Sequence, residues 1–149
     1  MNLRPPVLEQ GLVAAVQCFS ADDAPTTEIY TRVETSGDTI SATPAVQLVA
    51  YRTAQEALTN ISKHAQPSEV RIELSDREHV LTLEVTDNGN GIAPEMLDKP
   101  KAFGLKGLHE RARTVGGWLD ISSRPGEGTS VILSVPLTSD PLPVQGDEQ

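Results

Sequence analysis

The chain has 149 residues, enough for one domain that hides about two-thirds of its unfolded surface. Its 21 acidic residues against 12 basic give a formal net charge of -9 with no basic cluster, which argues against a nucleic-acid partner, because phosphate backbones need Lys and Arg to displace counterions. Cys18 is the single cysteine, so an internal disulfide framework or a cysteine-based zinc site is excluded; no apolar run approaches the about 20 residues that cross a bilayer, and no signal peptide is visible.

Pro5 and Pro6 open a helical stretch over residues 7–19, where Leu8, Leu12, Ala15, Val16 and Phe19 recur at helical spacing. Cys18 borders that stripe and reads as a small buried hydrophobe. Residues 20–26 are loop-like, and residues 28–34 read as a strand closed by the turn Ser36-Gly37-Asp38. Thr43 is a good N-cap and Pro44 suits the first helical position, so a long helix runs from there to about Ala65, before Pro67. Residues 70–74 and 80–85 alternate apolar and polar side chains, as an antiparallel pair does around a turn at 75–79. A glycine-rich segment and a Pro- and Lys-containing stretch lead to Phe103. A second long helix then covers 105–115 and stops at Gly116-Gly117. Residues 118–122 and 129–136 form the last predicted strand pair, around Arg124-Pro125-Gly126-Glu127-Gly128. Residues 138–149 are Pro-rich and acidic and read as a disordered tail. The hairpins imply a mixed, mostly antiparallel sheet covered on one face by helices: a two-layer α/β sandwich of the α+β kind.

Four segments could carry chemistry. On the long helix, Arg52, Glu56, Asn60 and Lys63-His64 fall on one stripe bordering the apolar face of Ala50, Ala54, Ala57, Leu58, Ile61 and Ala65. A carboxylate and an amide oxygen one turn apart suit Mg²⁺, and Lys63 and His64 could reach phosphate oxygens. The alternative is a solvated helix face with Arg52 and Glu56 paired. The second segment, Asp87-Asn88-Gly89-Asn90-Gly91-Ile92, follows an apolar strand directly. A half-buried carboxylate is costly unless a donor meets it, and an exocyclic amine such as that of adenine is one. A plain Asn-Gly turn competes; a calcium loop fits poorly, with Gly89 where a ligand is needed and Ile92 where the turn glycine is needed. Phe103-Gly104-Leu105-Lys106-Gly107-Leu108 leads glycines into a helix, which suits an anion or else a tight turn. Pro125-Gly126-Glu127-Gly128-Thr129, alone, is a hairpin turn.

Together, in this order, the four resemble a known family. Residues 51–60 with Lys63-His64-Ala65 resemble the Asn box of sensor histidine kinases. Asp87-Asn88-Gly89-Asn90-Gly91-Ile92 resembles their first glycine box, Gly104-Leu105-Lys106-Gly107 the second, and Gly126-Glu127-Gly128-Thr129 the last. The likeness runs from about residue 45 to 137 and is strongest to the subfamily that pairs with helix-turn-helix response regulators. It implies the Bergerat fold of the GHKL ATPases, shared by gyrase, Hsp90, histidine kinases and MutL. It further implies that Asn60 holds Mg²⁺, that Glu56 assists at the metal or the γ-phosphate, and that Lys63 and His64 lie near the phosphates. Asp87 would accept from the adenine amine with Thr129 in support. Gly89, Gly91, Ile92, Gly104, Leu105, Lys106 and Gly107 would shape the pocket and its lid, the lid itself being residues 93–103. Two departures stand out: Asn88 replaces a second acidic residue, and Phe103 only partly stands in for a phenylalanine box.

The resemblance also divides the chain. Residues 1–19 become a remnant linker and helix that followed an absent phosphoacceptor domain and packs on the ATPase domain, 20–137 the ATP-binding catalytic domain, and 138–149 the tail. Residues 1–6 read as a cut through a longer protein. The implied function is histidine protein kinase activity: binding Mg-ATP and passing the γ-phosphate to a histidine on a separate dimerisation and histidine-phosphotransfer domain, for relay to a response regulator. The domain alone is expected to be nearly inactive, to sit in the cytoplasm, and to touch neither nucleic acid nor membrane. Of the histidines, His64 falls in the Asn-box stripe, His79 in a turn and His109 in a helix, so none reads as the acceptor. Two rivals stand beside this: an anti-sigma-factor serine kinase of the same fold, and a degenerate interaction module that binds no nucleotide.

Overall fold

The computed structural model describes residues 6–19, 30–61, 69–89, 105–124 and 126–137. A 3-10 turn, Pro6–Gln10, precedes α1 (Leu12–Gln17), and β1 (Tyr30–Thr35) leads to the long α2 (Pro44–Asn60). The hairpin β2 (Glu69–Ser75) and β3 (Val80–Asp87) follows. Then come α3 (Leu105–Thr114) and a second hairpin, β4 (Trp118–Arg124) and β5 (Gly128–Pro136). The sheet has five strands in the order β1-β2-β3-β5-β4, and only the β1–β2 pair is parallel. This is the mixed, mostly antiparallel sandwich that the hairpins predict.

Strand alternation decides which face is covered. Val70, Ile72 and Leu74 on β2, Leu81, Leu83 and Val85 on β3, and Val131, Leu133 and Val135 on β5 are all buried. Helix α2 lies on that face with Val46, Val49, Ala50, Ala54 and Ala57. Its alanines leave no bulk between helix and sheet, and Leu108 and Ala112 of α3 join the same core. The helix starts where the residues dictate: the Thr43 side chain accepts from the Val46 amide at 3.2 Å, and Pro44 occupies the first turn. It is α-helical to Asn60, and Ile61 keeps helical angles; the predicted continuation to Ala65 lies outside the described residues. The opposite face of the sheet carries Arg32, Glu34, Arg71, Glu73 and Glu84, and Trp118, 55% exposed, lies on it.

Two expectations for the N-terminal segment are corrected. The helix predicted over 7–19 is broken at Gly11, whose φ of 100° lies outside the helical region and is free of strain only because glycine lacks a Cβ. The break redirects the chain so that Leu8 and Leu12 both enter the core, with Val13, Ala15 and Val16. Cys18 is exposed rather than buried, because α1 ends at Gln17 and the next residue inward is Phe19. That ring stacks on Tyr51 of α2, with centroids 5.3 Å apart.

Residues 6–17 therefore belong to the same folding unit as the sheet. Leu12→Ala is expected to cost about 2–5 kcal/mol of stability, whereas Cys18→Ala should stay within about 0.5 kcal/mol. Urea unfolding of the two variants checks this, and a Leu12→Ala midpoint equal to wild type would detach the segment from the core.

Candidate nucleotide site

One end of the sandwich gathers those predicted residues that fall among the described ones, and two hollows show which end. A groove of about 780 Å³ is lined by Thr43 and Val46 at the start of α2, His79 before β3, Thr114 and Val115 at the end of α3, and Pro136 at the end of β5. These elements thus share one pole. Helix α2, 17 residues long, carries its last turn about 25 Å away. Strand β3, 8 residues long, covers a similar distance at about 3.4 Å per residue. The opposite pole therefore holds Glu56 and Asn60 at the end of α2, Asp87 and Gly89 at the end of β3, Gly107 in the first turn of α3, and Gly128-Thr129 at the start of β5. There, an open cavity of about 290 Å³ is lined by Asp87, Ser123, Glu127, Gly128 and Thr129 together with Thr86, Ser122 and Ser130, whose side chains belong to the face of the sheet opposite the helices.

Asp87 is the polar member of an otherwise apolar inward row, Leu81, Leu83, Val85, Asp87, and it is 4% exposed. Its Oδ1 accepts the Gly89 amide at 2.7 Å. Its Oδ2 is the one buried side-chain polar atom without a hydrogen-bond partner among the described residues. Burial raises the pKa of this carboxyl, and the amides of Gly89 and Thr129 pull it partly back; the Thr129 amide faces the group without closing a bond of ordinary geometry on Oδ2. The backbone of β5 comes unusually close here. Gly128 has a φ of +94°, and a Cβ on it would overlap the Asp87 carbonyl oxygen and lie 3.2 Å from Asn88 Cα. Only glycine admits that approach. Asn88 faces away, closing the hairpin ladder: its Oδ1 accepts the Glu69 amide at 2.9 Å.

At the end of α2, Glu56 and Asn60 are both half-buried, four residues apart on one side of the helix. Arg52 donates to Gln55 Oε1 at 3.0 Å, so the alternative of an Arg52–Glu56 pair is not what the helix makes. Among the described residues, no group of three or more His, Cys, Asp or Glu could hold a metal by itself. Two oxygen ligands from one helix turn fit a cation that shares its shell with substrate phosphates, as Mg²⁺ does. Lys63, His64, Gly91, Ile92 and Gly104 lie outside the described residues, and Leu105 and Lys106 are described only as the first turn of α3. His79 and His109 are exposed, and His79 is at the far pole.

One residue of this end was not singled out from the sequence. Ser123 pairs directly with Thr129 across β4 and β5, and the two hydroxyl oxygens are 2.9 Å apart. The predicted strand stops at Ser122, two residues before the end of β4 at Arg124. The inward parity of Leu119, Ile121 and Ser123 was the available signal.

The geometry is that of a two-layer sandwich with a buried, half-satisfied carboxyl group at one open end. Comparison with known proteins fixes the family. Residues 45–139 match the model for the histidine kinase-, DNA gyrase B-, and HSP90-like ATPases, and the chain belongs to that family. It is 34% identical over 139 residues to the oxygen sensor histidine kinase NreB of Staphylococcus carnosus, a match covering 93% of this chain and 40% of that protein. It is 36% identical over 95 residues to the signal transduction histidine-protein kinase/phosphatase DegS of Brevibacillus brevis, covering 64% of this chain and 24% of that one. The chain thus spans well under half the length of these relatives. Among solved structures, the histidine kinase domain of a blue-light activated histidine kinase from Erythrobacter litoralis superposes with a TM-score of 0.69 at 22% identity, covering 85% of this chain and 61% of that one. The catalytic domain of histidine kinase ThkA superposes at 0.64 and 18% identity, covering 87% of this chain and 93% of that one. These two share the fold, which confirms the expected Bergerat sandwich.

The buried carboxyl has a pH consequence. Its folded pKa is raised above the unfolded value of 3.8, so between those two values the folded state holds the extra proton. Its contribution favours folding at low pH and is lost as pH rises through the folded pKa. Asp87→Asn keeps the acceptor for Gly89 and removes the charge. The variant should be more stable than wild type at pH 7, with the advantage shrinking as pH falls toward 4. Urea midpoints across that range check it; an advantage that does not change with pH would contradict the assignment.

Proposed function

We propose that this chain is the ATP-binding catalytic domain of a two-component sensor histidine kinase. It binds Mg-ATP and presents the γ-phosphate to a histidine on a separate dimerisation and phosphotransfer domain, from which a response regulator takes it. The observation that carries the reading is the buried, unpartnered Asp87 Oδ2, at the same pole as the Glu56–Asn60 turn. An acceptor that is buried and unpaired asks for a donor from outside the protein, and the 6-amino group of adenine supplies one. Asp87 reads the base, and Thr129 flanks it. Asn60 and Glu56 offer their oxygens to Mg²⁺, which when bound neutralises charge on the phosphates. The first turn of α3, from Leu105 and Lys106 to Gly107, turns amides toward the phosphates, with Gly104 before it. Lys63 and His64 follow Asn60 and add positive charge beside the γ-phosphate; Gly89, Gly91 and Ile92 shape the floor and lid. Catalysis is then positioning plus charge neutralisation, with no covalent intermediate on this domain.

The acceptor belongs to the other domain. The family likeness and the two kinase relatives support this division of labour, and it leaves the isolated chain able to bind nucleotide but barely able to turn it over. No helix among the described residues is long and apolar enough to cross a membrane. We assign the domain to the cytoplasm, where ATP and a response regulator are both available.

Calorimetric titration of the chain with ATP tests the reading. Asp87→Asn should weaken ATP by about tenfold or more, because Gly89 holds the amide oxygen and leaves the NH₂ group facing the adenine amine. Asn60→Ala should weaken binding in Mg²⁺ and leave binding in excess chelator unchanged. When a separate phosphoacceptor hairpin is supplied with ATP, the labelled phosphate should be acid-labile. Absence of ATP binding by wild type, or equal affinity in Asp87→Asn, removes the proposal; acid-stable phosphate removes the histidine as acceptor.

A further inference from the structure

We propose that Asn88 is a positioning residue for base recognition: its side-chain clasp on Glu69 fixes the peptide group that holds Asp87 Oδ1, and so leaves Oδ2 in one place for the ligand. The inference rests on the nucleotide-binding reading above and deepens it, by giving a role to an exposed side chain that bonds to β2 rather than to any group of the pocket.

The β2–β3 ladder ends with the pair Val70 and Asp87, so the strand that carries the carboxyl loses its regular partner two residues before Gly89. Asn88 adds one more rung. Its backbone amide donates to the Glu69 carbonyl at 3.2 Å, and its Oδ1 accepts the Glu69 amide at 2.9 Å. The accepting atom is the oxygen, because a backbone N–H only donates and a side-chain NH₂ does not accept. Residue 88 is thus held at its backbone and at its side chain by a single residue of β2. From the other side β5 closes in, since a Cβ on Gly128 would lie 3.2 Å from Asn88 Cα. The next peptide, between Asn88 and Gly89, carries the N–H that donates to Asp87 Oδ1 at 2.7 Å. Fixing residue 88 fixes that N–H, and the N–H sets the plane of the carboxyl. Oδ1 is then occupied, and Oδ2, which closes no bond, is the oxygen left for a donor from outside.

Without the side-chain oxygen, one backbone bond to Glu69 remains, and the 88–89 peptide gains freedom to swing. Both residues are exposed, so the freed Glu69 amide turns to water and the fold loses little. Calorimetric titration of the 149-residue chain with ATP and with inorganic tripolyphosphate, both in Mg²⁺, tests the role. Asn88→Ala should weaken ATP by about 3- to 10-fold and leave tripolyphosphate binding unchanged, because Asp87 meets the base alone. Asn88→Asp keeps the oxygen and loses the NH₂ group, and should bind both ligands as wild type does. Three results overturn the proposal: ATP affinity in Asn88→Ala equal to wild type, equal weakening of both ligands, or an Asn88→Asp variant as weak as Asn88→Ala, which would assign the effect to the NH₂ group. Asp87→Asn run alongside separates the two readings. If Asp87→Asn loses ATP while Asn88→Ala keeps it, only the Asn88 inference fails; if Asp87→Asn binds as wild type does, the nucleotide reading fails beneath it.

Discussion

A carboxyl group kept almost entirely from water, with one oxygen bonded to Gly89 and the other closing no hydrogen bond, is the constraint around which this end of the molecule is arranged. Burying an ionised group without full compensation disfavours folding, and the raised pKa of Asp87 records that tension. The surroundings keep the group buried without satisfying it. Gly128 lets β5 lie against the Asp87 backbone, and the Ser123–Thr129 pair ties β4 to β5 beside it. A side chain at residue 128 would force the strands apart and admit water to the carboxylate.

The rest of the sandwich serves to bring distant segments to that carboxylate. The parallel β1–β2 pairing requires a crossover, and α2 supplies it while running the length of the sheet. A helix begun at Thr43 on one pole therefore delivers Glu56 and Asn60 to the other. Its alanine stripe sets how low the helix sits on the sheet, and so how far the two oxygen-bearing side chains stand from the strand that carries Asp87. The acidic balance of the chain does not by itself oppose an anionic ligand, since local donors can hold an anion without a broad positive field.

Much of this was legible in the residues, for local reasons. Thr43-Pro44 marks a helix start whatever surrounds it, and the alternation in 80–85 marks a half-buried strand, so an aspartate continuing the inward row already looked out of place. What stayed hidden depended on non-local packing. Gly11 sits in a run with helical spacing, and nothing nearby tells that its φ turns positive. Cys18 follows from that break, since a shorter helix ends one residue before it. Ser123 is a small hydroxyl of no obvious consequence until the β4–β5 register sets it opposite Thr129.

The segment before residue 20 bears on how such a domain is cut. The family match begins at residue 45, yet Leu8, Leu12, Ala15 and Val16 are core residues and Phe19 stacks on Tyr51. An expression boundary drawn where the family likeness starts would strip the sheet of its parallel edge strand and leave one flank of α2 bare. The apolar surface so uncovered favours self-association, and purified fragments trimmed that way would report on their own stickiness as much as on nucleotide chemistry.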